Sequence, residues 1–348
     1  MHSNNILWKH PAWQIFWGLA IVFVLTAMVP MSAANSAEPV AKQGRVSVAN
    51  PGAQLWRDVR GATTGISQVR GPEAGVLINS GGQDWRMLRN DRVKSYGGWT
   101  LFLLLVAIVV YHGLHGPIRL KNGRSGQMVD RWSVSVRTIH WYTAILFIIM
   151  AITGLSFMYG RTLLLPLMGP DGFGAWARFC VGAHNYLGPA FALGVIATMI
   201  AGIRINLPAK GDMEWLIKGG GFFSSEHVPA GKLNAGEKLF TYWVLFIVGG
   251  VVCVTGLILD FPNYGQTRET MQFMSLIHGI STVIWAFFVI AHIYLSTACV
   301  EGTFDAMWEG RVDVNWARQH HDLWYQEVAD TATTAREQPA TDFKQQPT

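Results

Sequence analysis

Five apolar runs, near residues 98–116, 139–159, 183–203, 240–260 and 275–298, set the limits on what this chain can fold into. Each has about the 20 residues that a helix needs to cross a bilayer. Backbone amides in lipid have no water to bond, so a spanning segment must close its own hydrogen bonds, and the runs are expected to be helices. Charged residues make up 14% of the chain, against about 25% in an ordinary soluble chain. That deficit points to lipid more firmly than the apolar count does. The formal net charge of +5 is small and dispersed, which argues against nucleic acid as a partner. It fits a membrane protein with basic loops on one face.

The three cysteines, Cys180, Cys253 and Cys299, lie far apart, in or beside apolar runs. No C-x-x-C-H is present for covalent haem attachment, and no cluster could hold zinc or an iron–sulfur centre. They read as small buried apolar residues.

The ends of the chain differ from its middle. Residues 13–33 are apolar, follow Lys9 and His10, and lead into small residues through Ala34 and Ala37. Residues 1–37 therefore read as a signal peptide cleaved near Ala34 or Ala37, with an uncleaved anchor helix as the alternative. Residues 38–96 are polar and rich in Gly and Arg, and are expected to form a periplasmic segment with little regular structure. Residues 301–348 are polar, hold no further span, and from about 330 have the composition of a disordered tail.

Basic residues set the orientation. Arg119, Lys121, Arg124, Arg131 and Arg137 lie between the first two runs, and Arg204, Lys210, Lys218, Lys232 and Lys238 between the third and fourth. The alternate loops carry Arg161 and Arg178 in one and Arg268 in the other. The two basic loops and the C-terminal tail are expected to be cytoplasmic. Arg86, Arg89, Arg92 and Lys94, ahead of the first run, pull the other way and are outweighed.

Ionisable groups inside spanning helices are costly, so they are candidates for function. Four stand out: His140, His184, His278 and His292. His278 and His292 share one run and are 14 residues apart. That separation is about 21 Å along a helix and about 40° short of whole turns, so both point to nearly the same side at opposite depths. His140 opens a helix entering from the cytoplasm, and His184 opens the next, entering from the periplasm. Depth therefore pairs His184 with His278 and His140 with His292. Each pair can supply two axial imidazoles to one haem iron inside a helical bundle. Taken singly, each histidine could be a packing or helix-end residue; four at paired depths favour ligation. Gly154, Gly188 and Gly279 nearby suit a close-lying macrocycle, though glycine also lets helices approach in lipid. His112 and His115 read as interfacial, and His320 and His321 lie in the polar tail.

Before the fourth run, GKLNAGEKLFTYW (231–243) places Asn234 three residues ahead of Glu237, the spacing of a capping box. The functional alternative is that this turn lines a cytoplasmic pocket beside His140 and His292, where a quinone would find polar groups and protons.

Larger motifs add to this reading: RTIHWYTAILFIIMAITGLSF (137–157), AHNYLG (183–188), NLPAKGDMEWL (206–216), KLNAGEKLFTYW (232–243), LIHGIS with AHIYLS (276–296) and EGRVDVNWARQHHDLWYQE (309–327). In order and spacing, the block from His140 to Tyr325 resembles the gamma subunit (cytochrome b) of membrane-bound respiratory formate dehydrogenases. The resemblance implies an all-α membrane protein: a four-helix transmembrane haem-binding bundle (130–300) preceded by an extra transmembrane helix (97–117) and the signal-like segment. It implies two haems b, with His184/His278 holding the periplasmic one and His140/His292 the cytoplasmic one. It also implies a quinone site at Asn234 and Gly236, beside His292. Glu237 stands where a better-known relative has glutamine. The implied partners are an iron–sulfur beta subunit and a molybdenum or tungsten catalytic alpha subunit, at a bacterial inner membrane. The chain is expected to pass electrons to quinone and not to oxidise formate alone. Two rival readings stay open: a cytochrome b subunit of another oxidoreductase such as a nickel–iron hydrogenase, and a haem-free anchor or transporter. The near absence of Asp and Glu from the spans weighs against transport.

Overall fold

The computed structural model describes residues 81–221 and 228–334. The signal-like segment 1–37, residues 38–80 and the stretch after 334 lie outside the described residues. Among the described residues, four helices have the length and composition to cross a membrane. They are α1 (Gly82–His115), α2 (Val134–Leu163), α3 (Leu165–Gly202) and the helix from Arg268 to Cys299. A short α4 (Asp212–Ile217) lies in the loop after α3. The run expected at 240–260 is helical too and is called α5 (237–260). It winds as π-helix over Glu237–Trp243 and Leu245–Gly249 and as α-helix over Gly250–Asp260. The last span is α6 (Arg268–Tyr294), with a π-helical turn at Leu295–Cys299. Apolar side chains such as Val109, Leu114, Leu193 and Ile200 stand exposed along these helices. Contiguous apolar surface of that kind is what lipid covers, and the protein is a multi-pass membrane protein.

Two boundaries differ from expectation. Residues 82–96 are not irregular but form the first part of α1. Past Gly82 the segment has no helix breaker before Gly97, and Trp85 anchors it by donating from Nε1 to the carbonyl of Gln272, 3.0 Å away. The connection between the second and third runs is also helical. Ser133 caps α2 by accepting from the Val136 amide, and α3 begins directly after Leu164, breaking once at Gly169, where φ is 69°. Pro170 follows, where a helix restart tolerates its missing N–H.

The described residues divide into two compact units, 81–100 with 254–280, and 101–253 with 281–334. Within the second, Leu146, Phe191, Val195, Val252 and Trp285 form an apolar core between α2, α3, α5 and α6. Gly249 admits the Trp285 ring, which a β-carbon there would meet at 3.0 Å.

The polar region after Cys299 is a folded cap, which its composition did not reveal. It contains α7 (Thr303–Trp308), α8 (Val314–His320) and α9 (Asp322–Val328). β1 (Gln127–Asp130) pairs antiparallel with β2 (Arg311–Asp313) on one side and β3 (Thr333–Thr334) on the other. Val129, Val312, Trp316, Ala317 and Trp324 are buried between them. Asp313 caps α8 through the Asn315 amide and also accepts from the amides of Ser125 and Gly126, tying the cap to the loop after α1.

Candidate functional site

His140 and His292 come together between α2 and α6. Their ring centroids are 6.4 Å apart and the planes make 63°. Each ring centre is then about 3 Å from a shared midpoint, which accommodates an imidazole–metal bond of about 2 Å on each side. His140 Nδ1 is buried and has no hydrogen-bond partner among the described residues. A buried polar nitrogen left unsatisfied costs about 1–3 kcal/mol, a cost that ligation through the other ring nitrogen, Nε2, would leave in place. Trp141 wedges the ring edge-on at 5.3 Å, and its own Nε1 donates to the Met307 carbonyl of the cap.

His184 and His278 have matching surroundings, each within its own unit. Thr153 Oγ1 lies 2.7 Å from His184 Nδ1. The same hydroxyl lies 2.8 Å from the Ile149 carbonyl; donating there, it accepts from the imidazole, whose proton then sits on Nδ1. That tautomer presents Nε2 as the lone-pair nitrogen. Gly154 leaves room for the ring: a β-carbon there would meet His184 Cε1 at 3.3 Å. On α5, Thr255 Oγ1 lies 3.0 Å from His278 Nδ1, and a β-carbon on Gly256 would meet His278 Cε1 at 3.1 Å. The same Thr-Gly pair thus faces both histidines, from 153–154 and from 255–256. Sequence reading missed it, because threonine and glycine are common in packed spans; the repeated ITGL and VTGL strings were the available signal.

The 234–237 turn is a formed capping box. The Asn234 amide donates to Glu237 Oε2 at 2.9 Å, and the Glu237 amide donates to Asn234 Oδ1 at 2.8 Å. Trp215 of α4 lies over Gly236, where a β-carbon would come within 2.6 Å of the ring. Lys238 is tied to Asp212 at 2.8 Å. Glu237 also reaches Arg131 at 3.3 Å. The role of Glu237 that the sequence left open thus includes capping and ion pairing.

The other histidines have other partners. His112 Nδ1 lies 3.2 Å from the Tyr294 hydroxyl, and His115 stacks on Tyr111. His321 is buried in the cap. Its Nδ1 donates to the Gly231 carbonyl at 2.7 Å, and burial together with Arg131 holds it well below the usual histidine range. No group of three or more His, Cys, Asp or Glu suited to a metal ion occurs among the described residues.

Apolar helices that bring two half-buried imidazoles, His140 and His292, together fit the class of membrane-embedded b-type cytochromes. The sequence pattern of prokaryotic cytochrome b561 matches residues 131–310, and the chain belongs to that family. Membership implies haem b. The nitrate-inducible formate dehydrogenase cytochrome b556(Fdn) subunit of Escherichia coli K12 is 29% identical over 218 residues, covering 58% of this chain and 92% of that protein. The formate dehydrogenase cytochrome b556(fdo) subunit of the same organism is 28% identical over 207 residues, 58% and 94% respectively. The formate dehydrogenase cytochrome b556 subunit of Haemophilus influenzae is 27% identical over 216 residues, 57% and 83%.

Proposed function

We propose that this chain is the cytochrome b subunit of a formate dehydrogenase, holding two haems b and carrying electrons from a periplasmic iron–sulfur subunit to quinone at the cytoplasmic side of the inner membrane. His184 and His278 hold one haem, and His140 and His292 the other. The approach of His140 to His292, their ring centroids 6.4 Å apart, carries the reading. The Thr-Gly setting common to His184 and His278 supports the second pair. When bound, haem b supplies one-electron redox chemistry. The protein fixes the tautomer of His184 through Thr153, excludes water with the Phe147–Phe191–Trp285 aromatic layer, and presents polar backbone at the Asn234–Gly236 turn. Quinone bound there takes two electrons, and two protons from the cytoplasm. The stretch between the signal-like segment and α1 is periplasmic, α1 is the extra span, the bundle occupies 130–300, and the cap and C-terminus are cytoplasmic. Catalysis on formate belongs to a molybdenum or tungsten alpha subunit reached through the iron–sulfur beta subunit.

The test is to purify the full chain with its associated subunits from its own membranes and offer formate or hydrogen as reductant. Formate bleaching of the oxidised haem spectrum, dependent on the associated subunits, is the expected result. Reduction by hydrogen and not by formate, or formate oxidation by the isolated chain, would overturn the assignment.

A further inference from the structure

Arg131 follows β1 and precedes the cap of α2, and its side chain is 2% exposed. A buried guanidinium is costly unless its charge and donors are met. Three indole rings surround it, with Trp316 at 4.8 Å, Trp324 at 5.3 Å and Trp132 at 5.6 Å from the guanidinium carbon. Nη2 donates to Glu237 Oε1 at 3.3 Å and to His321 Nε2 at 3.2 Å. His321 gives its Nδ1 proton to Gly231, so Nε2 is the acceptor and the ring is neutral. The 3.8 Å approach of His321 Nε2 to Glu237 is therefore no ion pair. Arg131 Nη1 is buried with no hydrogen-bond partner among the described residues.

Glu237 divides its two oxygens. Oε1 meets the guanidinium, and Oε2 accepts from the Asn234 amide, closing the capping box. The box alone satisfies the start of α5, so a buried cation from 106 residues away is more than capping requires. What the cation adds is direction. It pins the carboxylate from the cap side, while Trp215 covers Gly236 and Asp212 holds Lys238. Polar groups bind a small molecule well when they are held in place beforehand.

We propose that Arg131 is a positioning residue for quinone binding: through Glu237 it fixes the Asn234–Gly236 turn in the orientation the quinone meets. The proposal rests on the quinone reading of that turn. It makes the C-terminal cap, which supplies Trp316, His321 and Trp324, part of the device that shapes the site.

The test uses full-length protein purified with its haem. Binding of a short-chain quinone is followed by equilibrium dialysis, and haem reduction by the matching quinol is followed across quinol concentration. R131Q is expected to weaken quinone binding and raise the quinol KM about tenfold, the usual effect of losing one charge-assisted bond, with haem content and maximal rate unchanged. R131K restores much of the affinity by keeping the charge on Glu237. The double variant R131Q/E237Q binds no worse than R131Q, because both changes remove one contact. Parent-like affinity in R131Q, or additive losses in the double variant, would overturn the proposal. If R131Q does not retain haem, E237Q decides by breaking the same contact from its more exposed side: a comparable loss of affinity supports the proposal and parent-like affinity overturns it. Asn234→Ala separates the two levels. If it too leaves quinone binding unchanged, the quinone reading itself falls; if it weakens binding while R131Q and E237Q do not, only the positioning role falls.

Discussion

Replacing Thr153 with valine removes the hydroxyl 2.7 Å from His184 Nδ1 while nearly preserving side-chain shape. Thr153 is 1% exposed, so water cannot take over the lost contact. An imidazole that gives its Nδ1 proton to an acceptor is a more basic ligand through Nε2. A more basic ligand favours ferric over ferrous iron, so with His184 as a ligand, as proposed, losing the bond raises the reduction potential of that haem. One hydrogen bond contributes about 0.5–1.5 kcal/mol net. For a one-electron couple about 59 mV corresponds to a tenfold change in equilibrium constant, so the upward shift is about 20–60 mV as an upper bound. The assay is a potentiometric titration of the purified full-length protein, following the haem absorbance. Thr153→Ser keeps the hydroxyl and retains the parent potential. A downward shift in Thr153→Val, or an equal shift in Thr153→Ser, would refute the reasoning.

Thr255→Val removes the corresponding bond to His278; if His184 and His278 share an iron, it moves the same redox couple as Thr153→Val, and movement of the other couple in the titration would contradict the pairing. Gly236→Ala places a β-carbon 2.6 Å from the Trp215 ring; overpacking of about 1–3 kcal/mol is expected to displace the turn, weakening quinone binding in a dialysis assay while haem content holds. His321 is held neutral in the folded cap, so the unfolded state binds more protons below the unperturbed value near 6.5. Cap stability is therefore full above about pH 6.5 and falls as pH drops toward the depressed folded value. Amide hydrogen exchange across 311–328 is expected to quicken on moderate acidification, relative to the base-catalysed intrinsic rate, and a flat response would count against the neutral tautomer.

The spans were legible because apolar runs of that length stand out, and the meeting of His140 with His292 because imidazoles stand out against them and helical periodicity gives their depth. The Asn234–Glu237 box was legible because its spacing is local. The cap was not: Arg131 meets His321 across 190 residues, and a stretch with the polar composition of 301–334 gives no periodic sign that Trp316, Trp324 and Val312 share a core with Val129. The extension of α1 back to Gly82 was hidden by Arg86, Arg89 and Arg92, which read as loop charge although nothing between them breaks a helix. The Thr-Gly pairs escaped because their meaning lies in which histidine each one faces.

The most direct measurement is a pyridine haemochrome count on purified protein, parent and variants. About two b-type haems per chain are expected, each His→Ala change at 184 or 278 removing one and each change at 140 or 292 removing the other, with the double variants within a pair losing no more than the singles. A protein that lacks haem when the cells supply it, or that loses haem in a pattern crossing the pairs, would contradict the assignment of these four histidines.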